Sequence, residues 1–189
     1  MRDIYREKTA IREKLIESCR VCWQQYGYKK TSVSELAAMS GISTGAFYLH
    51  FPSKEMLFVE TQRVFMDKLY GILTDNMPAN PTKRDLAERF KRCVDEGFEN
   101  KWIFLLRDDY ETFLRKLPEG FWEQDYEKDL VNIKDVITLY GLVQKVSMDE
   151  ISAVINTLFM SIDIPDVIGV LQRRALEILI DSAMDNLFE

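Results

Sequence analysis

The sequence predicts an all-α protein, in which a small N-terminal helical head is joined by a long helix to a larger helical body. Apolar residues recur at helical spacing along most of the chain, and no stretch alternates as a half-buried strand would. Glycines and prolines separate the periodic segments. Three capping boxes also mark helix starts: Ser32 with Glu35, Thr82 with Asp85, and Ser147 with Glu150.

The composition is that of a globular chain with an uneven distribution of charge. Of its 189 residues, 47% are hydrophobic and 30% are charged, which favours a packed core over disorder. The net charge is −6, yet residues 1–60 carry a net charge of +2 and the remainder carries −8. A mildly basic head on an acidic body is typical of a DNA-binding protein with a separate sensing or pairing domain.

The three cysteines favour a reducing compartment, so we expect a cytoplasmic protein. Cys19 and Cys22 have the spacing of a metal or redox pair. The chain has no second pair of this kind and only one histidine, His50, so we interpret both cysteines as small core residues. We therefore predict no metal and no cofactor. No apolar run approaches the roughly 20 residues that span a bilayer, so we expect no membrane partner.

The segment 31–54 has the pattern of a helix-turn-helix. Ser32 opens a short helix through its capping box, and Gly41 lies where the chain must turn. Ser43 can cap a second helix over residues 44–50. In this motif the second helix enters the major groove of DNA, so we predict a DNA-binding head.

The predicted second helix has one face suited to DNA and one suited to a core. Phe47 and Phe51 are four residues apart and can pack inward, whereas Thr44 and Tyr48 share the outward face. The helix holds no Arg or Asn for bidentate contacts to bases. We therefore expect Tyr48, Thr44 and the shape of the DNA to supply much of the specificity.

The residues from Thr31 to Leu57 resemble the DNA-binding signature of TetR-type transcriptional regulators. They read Thr-Ser-Val-x-x-Leu-Ala-x-x-x-Gly-Ile-Ser-x-Gly-x-Phe-Tyr-x-His-Phe-x-x-Lys-Glu-x-Leu. The resemblance covers part of the first third of the chain. The DNA-contacting positions that it implies are Thr31, Ser32, Ser34, Ser43, Thr44, Gly45, Tyr48, His50 and Lys54.

Each of these positions also has a structural interpretation. For Ser43 the structural alternative is a role as helix cap alone. For Tyr48 it is a place in the core, and for His50 it is a packed or solvated imidazole. Lys54 stands at a helix start, where the helix dipole disfavours a cation, so we expect it to bind an external anion. The lysine pair at residues 29–30 is either solvated or in contact with phosphates.

The remaining helices follow from the apolar spacing and from its interruptions. A helix from 54 to about 75 would connect the head, residues 1–53 with an extension into this helix, to the body, residues 54–189. Residues 1–6 are expected to be a frayed tail, with a phosphate-contacting arm as the alternative. The other predicted helices span about 7–26, 83–98, 108–116, 121–140, 148–162 and 166–187.

The resemblance implies a repressor that binds a palindromic operator as a homodimer and is released by a small molecule. The pairing helices would be about 147–162 and 166–187, and the body would also bind the effector. Aromatic residues of the middle helices are our candidates for the ligand pocket, although helical spacing also suits core packing. These candidates are Trp102, Tyr110, Phe113, Trp122 and Tyr126.

Two other classes of function remain as alternatives. The first is a helical adaptor or regulator that responds to a protein partner and to no small molecule. The second is an enzyme, which we disfavour because the sequence has no metal cluster, no glycine-rich phosphate loop and no paired nucleophile and base. The sequence does not specify the operator or the effector.

Overall fold

The computed structural model describes residues 2–104, 109–163 and 171–189. Within these ranges, only the backbone is described for residues 2–5, 103, 104, 110, 122–125 and 163. The described ranges contain α-helices, two 3₁₀ turns and a single antiparallel bridge between Gln144 and Phe188. The all-α fold class with a helix-turn-helix is therefore confirmed.

The helices follow the predicted order. They are α1 (Arg2–Lys30), α2 (Val33–Met39), α3 (Thr44–Phe47), α4 (Lys54–Thr74), α5 (Lys83–Glu99), α6 (Tyr110–Leu114), α7 (Phe121–Leu139), α8 (Met148–Met160) and α9 (Leu171–Leu187). The 3₁₀ turns span Lys101–Phe104 and Ser161–Asp163. The predicted start of the last helix, near residue 166, lies outside the described residues.

Helix α1 is longer than its apolar pattern predicted. It begins at Arg2, so the expectation of a frayed tail over residues 1–6 is wrong for the described residues of that segment. Its course is interrupted at Gly27, whose φ of 76° suits a residue without Cβ. The predicted end of the helix near residue 26 is correct in this sense, and one further turn leads to Lys30.

The chain divides into two compact units. The head unit comprises Met1–Met66 and Trp102–Glu119, and the body unit comprises Asp67–Lys101 and Gly120–Glu189. The first part of α4 belongs to the head unit, and so does the segment 102–119. The functional boundary between a DNA-binding head and a ligand-binding body stays a prediction.

The core of the head unit is built from aromatic rings around α1 and α4. The ring of Trp23 lies 4.3 Å from Phe58 and 5.4 Å from Trp102, between ring centroids. Tyr28 meets Phe58 and Phe113 edge to face at 5.3 and 5.4 Å. Such pairs have preferred geometries, so they fix α1, α4 and the segment 102–119 against one another. Cys19 and Cys22 are buried in this unit, as predicted.

In the body unit, α5 packs against α9, and α8 packs against both α7 and α9. The capping boxes predicted at Thr82 and Ser147 are both present. The C-terminus is held by the loop after α7, because the N–H of Lys145 donates to the carbonyl of Leu187 at 2.8 Å. Within the described residues, no helix has the length and apolar character required to cross a bilayer.

Candidate nucleic-acid interface

Helix α2 begins at the predicted capping box. The N–H of Glu35 donates to the Ser32 hydroxyl oxygen at 3.2 Å, and the Ser32 N–H donates to the Glu35 carboxylate at 3.0 Å. Leu36 and Ala37 of this helix face the core. Met39 does not, because 52% of its surface is exposed. The cap fixes the orientation of α2 and leaves Ser34 exposed beside it.

The turn between α2 and α3 has the predicted form. Gly41 adopts a φ of 74°, and the N–H of Ile42 donates to the carbonyl of Ala37 at 3.0 Å. Ser43 then caps α3 by accepting a hydrogen bond from the N–H of Ala46 at 3.1 Å. The predicted interior of the helix-turn-helix is therefore present in the structure.

Helix α3 is shorter than predicted. It ends at Phe47, and the N–H groups of Leu49 and His50 donate to carbonyls three residues back, at 3.1 and 2.9 Å. This tighter 3₁₀-like geometry replaces the α-helix predicted for residues 48–50. Pro52 limits any extension, because a proline disfavours helical backbone at the residue before it.

The two faces of the α3 region are those predicted. Phe47 is fully buried and Phe51 is 3% exposed, whereas Tyr48 is 55% exposed and Leu49 is 76% exposed. Thr44 is also exposed. The phenol of Tyr48, the hydroxyl of Thr44 and the apolar side chain of Leu49 therefore face solvent. Groups of these kinds can contact base edges and sugars.

Arg12 of α1 fixes the end of the recognition segment, residues 44–50, and no sequence pattern indicated this role. Its guanidinium donates to the carbonyl of His50 at 2.7 Å and to the carboxylate of Glu60 on α4 at 2.9 Å. The same group lies 4.2 Å from the centre of the Phe51 ring. Its partners lie 38 and 48 residues away in sequence, so no local pattern could have identified it.

The ammonium of Lys54 has internal partners. It donates to the carbonyls of Tyr28 and Thr31 at 2.9 and 2.8 Å and lies 4.2 Å from the centre of the Tyr28 ring. The argument that its position at a helix start favours an external anion is therefore wrong. The carbonyls at the end of α1 compensate for the unfavourable dipole of α4. Contact of Lys54 with DNA stays a prediction, with one N–H left to make it.

A buried acid lies beside this lysine. The hydroxyl of Tyr28 donates to Glu55 at 2.5 Å, and the ammonium of Lys116 lies 3.4 Å from the same carboxylate. Burial raises the pKa of Glu55, but the hydrogen bond from Tyr28 and the charge of Lys116 outweigh it and lower the pKa overall. Glu55 therefore stays ionised and ties α4 to α1 and to the segment after α6.

Thr31 is the predicted DNA-contacting residue whose side chain the structure turns inward. It is 1% exposed, and its hydroxyl donates to the carbonyl of Gly27 at 2.8 Å. This bond closes the turn between α1 and α2. Contact between Thr31 and DNA stays a prediction, and the burial of its side chain argues against it.

His50 combines a carbonyl bound by Arg12 with a partly buried ring. Its Nδ1 atom is buried and has no hydrogen-bond partner among the described residues. Burial lowers the pKa of His50, and the charges of Lys8 and Arg12 lower it further. The ring is therefore neutral near pH 7.

An open groove of about 500 Å³ brings several of the predicted positions together on the head unit. It is lined by Lys29, Thr31, Ser32, Val33, Tyr48, Pro52, Ser53, Lys54 and Glu55. The structure thus places the start of α2, the exposed face after α3 and the start of α4 around one depression. Ser34, Ser43, Thr44, Gly45 and His50 are not among the lining residues.

The predicted ligand-binding residues are distributed over both units. Trp102 and Phe113 are 4% and 1% exposed and belong to the aromatic core of the head unit. Tyr126 belongs to the body unit, where it is 43% exposed and donates to Asp149 at 3.2 Å. The side chains of Tyr110 and Trp122 lie outside the described residues.

Comparison with known proteins places this geometry in a family. A family model described as bacterial regulatory proteins of the tetR family matches residues 15–61. The HTH-type transcriptional repressor AcnR of Corynebacterium diphtheriae is 30% identical in a 153-residue alignment that covers 72% of this chain and 80% of that protein.

Solved structures share the fold over nearly the whole chain. A TetR family regulator from Marinobacter aquaeolei VT8 matches with a TM-score of 0.66 and 18% identity, covering 100% of both chains. A complex of SmeT with triclosan matches with a TM-score of 0.61 and 16% identity, covering 95% of this chain and 92% of that one. From the helix-turn-helix, the match at residues 15–61 and the similarity to AcnR, we conclude that the chain belongs to the TetR family of bacterial transcriptional regulators.

Proposed function

We propose that this protein is a cytoplasmic repressor that binds a palindromic DNA operator as a homodimer and leaves it when a small molecule binds. The observation that carries the DNA-binding part is the exposed surface after α3. Tyr48 and Leu49 are solvent-exposed although Phe47 and Phe51 beside them are buried. A segment anchored in this way can insert its outer side chains into the major groove without disturbing the core.

The DNA contacts follow from the positions of these residues. Thr44, Gly45 and Tyr48 would contact bases and the nearby backbone, whereas Ser34 and Ser43 would donate to phosphates. Ser32 would do so by transferring its hydroxyl hydrogen bond from the Glu35 carboxylate, 2.7 Å away, to a phosphate. Arg12 positions the segment from behind through the carbonyl of His50. We include no catalytic role, since the matching relatives are named as transcriptional regulators.

Selection of bound sites from random duplex DNA, followed by a salt series on the selected duplex, tests this part. Affinity should fall steeply with salt, and the selected site should contain two half-sites one helical turn, about 34–36 Å, or a multiple of it apart. Tyr48→Phe should alter affinity for the selected duplex, and Tyr26→Phe, at a tyrosine 47% exposed on α1, is the matched control. Binding to no duplex, or binding independent of salt, would overturn the proposal.

Pairing through α8 and α9 is supported by apolar side chains of these helices that are exposed to solvent instead of packing in the core of the body unit. Met160 is 71% exposed, Leu171 64%, Ile178 54% and Leu179 52%. Ile178→Glu should shift the sedimenting species to a monomer at micromolar concentration, because it places a charge in the pairing surface. Val131→Glu changes a valine of α7 that is 57% exposed and should leave the dimer intact. A wild-type monomer at that concentration would refute pairing.

The effector part of the proposal is supported by the solved complex of a structural neighbour with triclosan. The candidate residues in the body unit are Trp122 and Tyr126, because Trp102 and Phe113 are committed to the core of the head unit. A screen of aromatic and apolar small molecules for release of the selected duplex tests it. A regulator that responds to a protein partner instead would show no release by any compound and release by a cell fraction that proteolysis inactivates.

A further inference from the structure

Lys29 lies at the groove of the head unit, and the sequence alone leaves it either solvated or in contact with phosphates. It follows Tyr28 near the end of α1, and its side chain is 63% exposed. It lines the same groove as Ser32, Tyr48 and Ser53. A cation in this position can reach a phosphate of any duplex that Tyr48 approaches.

Asp109 forms an ion pair with this lysine in the free protein. The carboxylate belongs to the segment before α6 and is largely shielded, with 14% of its side chain exposed. Asp109 stands at the N-cap position of α6, yet its side chain makes no capping hydrogen bond there. Aspartate at this position normally caps the helix, so its carboxylate is directed to Lys29 instead.

The two lysines of the groove differ in the charge of their partners. The described hydrogen bonds of Lys54 go to neutral carbonyls, although the charges of the nearby Glu55 and Asp109 carboxylates also act on its ammonium. Lys29 instead forms a direct ion pair with the carboxylate of Asp109. Incoming phosphate must therefore displace a carboxylate from Lys29, whereas the groups bonded to Lys54 are neutral.

We propose that Lys29 is a phosphate-contacting residue of the DNA interface and that Asp109 restrains it as an internal competitor, so that Asp109 lowers the affinity of the protein for DNA. This inference rests on the proposed DNA binding. Lys29 would contact the DNA backbone whatever the base sequence, and Asp109, from another segment of the chain, would weaken DNA binding. An exposed ion pair has a modest strength, so removal of Asp109 should tighten DNA binding by about two- to fivefold.

The test is a cycle of four full-length proteins: wild type, Asp109→Asn, Lys29→Gln and the double variant. Binding to a duplex of random sequence is measured between low and moderate salt, so no operator is needed. Asp109→Asn should tighten binding two- to fivefold and steepen the dependence of log affinity on log salt by about 0.9, the value for one additional phosphate. In the Lys29→Gln background, Asp109→Asn should have a much smaller effect.

Glu111→Gln is the matched control for charge. Glu111 lies two residues further along the same segment, is exposed, and pairs with Arg115 at 3.6 Å. The Glu111→Gln substitution removes the same charge without releasing Lys29, so it should change the affinity for DNA less than Asp109→Asn does. Because the expected effect is a gain in affinity, an unfolded variant cannot imitate it.

The outcomes separate this inference from the proposed function. Wild-type binding to DNA with unchanged affinity in Asp109→Asn would overturn the competitor role and leave the repressor proposal standing. If Asp109→Asn and Glu111→Gln increase the affinity for DNA equally, or if the increase persists in the Lys29→Gln background, the effect comes from net charge alone. Either result would also overturn the competitor role of Asp109. Absence of binding by every variant would instead contradict DNA binding itself.

Discussion

The head and body units have cores of different chemistry. Rings dominate the head unit, where Trp23, Tyr28 and Phe58 meet within 4.3 to 5.3 Å of one another in two pairs. The body unit buries mainly branched aliphatic side chains: Leu86, Val94, Val136, Ile137, Ile151, Leu158, Ile162, Leu176 and Ile180. Ring pairs are directional and aliphatic packing is less so. The unit that presents a recognition segment therefore has the more orientation-specific core.

Both units also use a cation to satisfy the carbonyls at the end of a helix. In the head unit, Lys54 binds two carbonyls at the end of α1. In the body unit, Arg89 donates to the carbonyls of Ile72, Asp75 and Asn76 at the end of α4, at 2.8, 2.7 and 2.8 Å. The planar guanidinium of Arg89 binds three carbonyl acceptors, whereas the ammonium of Lys54 binds two carbonyls and contacts one aromatic ring. Helix α4 is thus held near its start in one unit and at its end in the other.

The strongest test of two separate cores is Phe58→Ala. Phe58 is fully buried at the centre of the head rings, and truncation of a buried phenylalanine costs about 3–5 kcal/mol. DNA binding should be lost, while the proposed dimer of the body unit persists in sedimentation. Ile180→Ala, at a fully buried residue of α9, should instead weaken the dimer. Simultaneous loss of folding and dimer in Phe58→Ala would show that the units share one cooperative core.

Arg89→Met should have the next largest effect. It leaves three carbonyls at the end of α4 without their charged donor, and we expect a loss of about 2–3 kcal/mol in the free energy of unfolding. Urea denaturation measures it. Arg92→Met removes an exposed arginine of the same helix and should cost less than about 0.5 kcal/mol. Equal costs for the two variants would contradict the anchoring role.

Lys54→Met should have a smaller effect of the same kind. Methionine keeps the apolar stem but loses two hydrogen bonds and the contact with the Tyr28 ring, for about 1–2 kcal/mol. Lys30→Met, at an exposed neighbour of the groove, is the control. If Lys54 acts internally, the salt dependence of DNA binding is unchanged. A slope flatter by about 0.9 would show that Lys54 also neutralises a phosphate.

The sequence predicted those elements whose signals are local. The capping boxes predicted the starts of α2, α5 and α8, since each box depends on two residues only three positions apart. Helix α3 was predicted too long, because its apolar spacing continues through a tighter turn. Local patterns describe which residues are helical better than where a helix stops.

The sequence could not predict contacts that the fold brings together. The partners of Lys54 lie 23 and 26 residues earlier, and Arg12 reaches His50 across 38 residues. Trp102 and Phe113 follow a body helix in sequence, so we expected them in the body, whereas their rings pack in the head unit. An aromatic residue at helical spacing has no pattern that distinguishes one core from another.

The smallest expected effect is a dependence of stability on pH from His50. Burial and the charges of Lys8 and Arg12 lower the pKa of its ring below the ordinary value of 6.5. Between the folded pKa and 6.5 the unfolded chain binds more protons, so the free energy of unfolding decreases as pH falls through this window. His50→Gln should remove that decrease, measured by urea denaturation from pH 7.5 to 5.5. An unchanged pH dependence in the variant would contradict it.

His50 can also separate its structural role from its predicted contact with DNA. A phosphate beside the ring would favour the protonated form, so acidification would strengthen DNA binding by wild type relative to His50→Gln. The same acidification weakens the fold. Opposite signs of the two pH dependences, both lost in the variant, would place the imidazole at the DNA backbone. A loss confined to the stability profile would assign His50 only to the packing of the head unit.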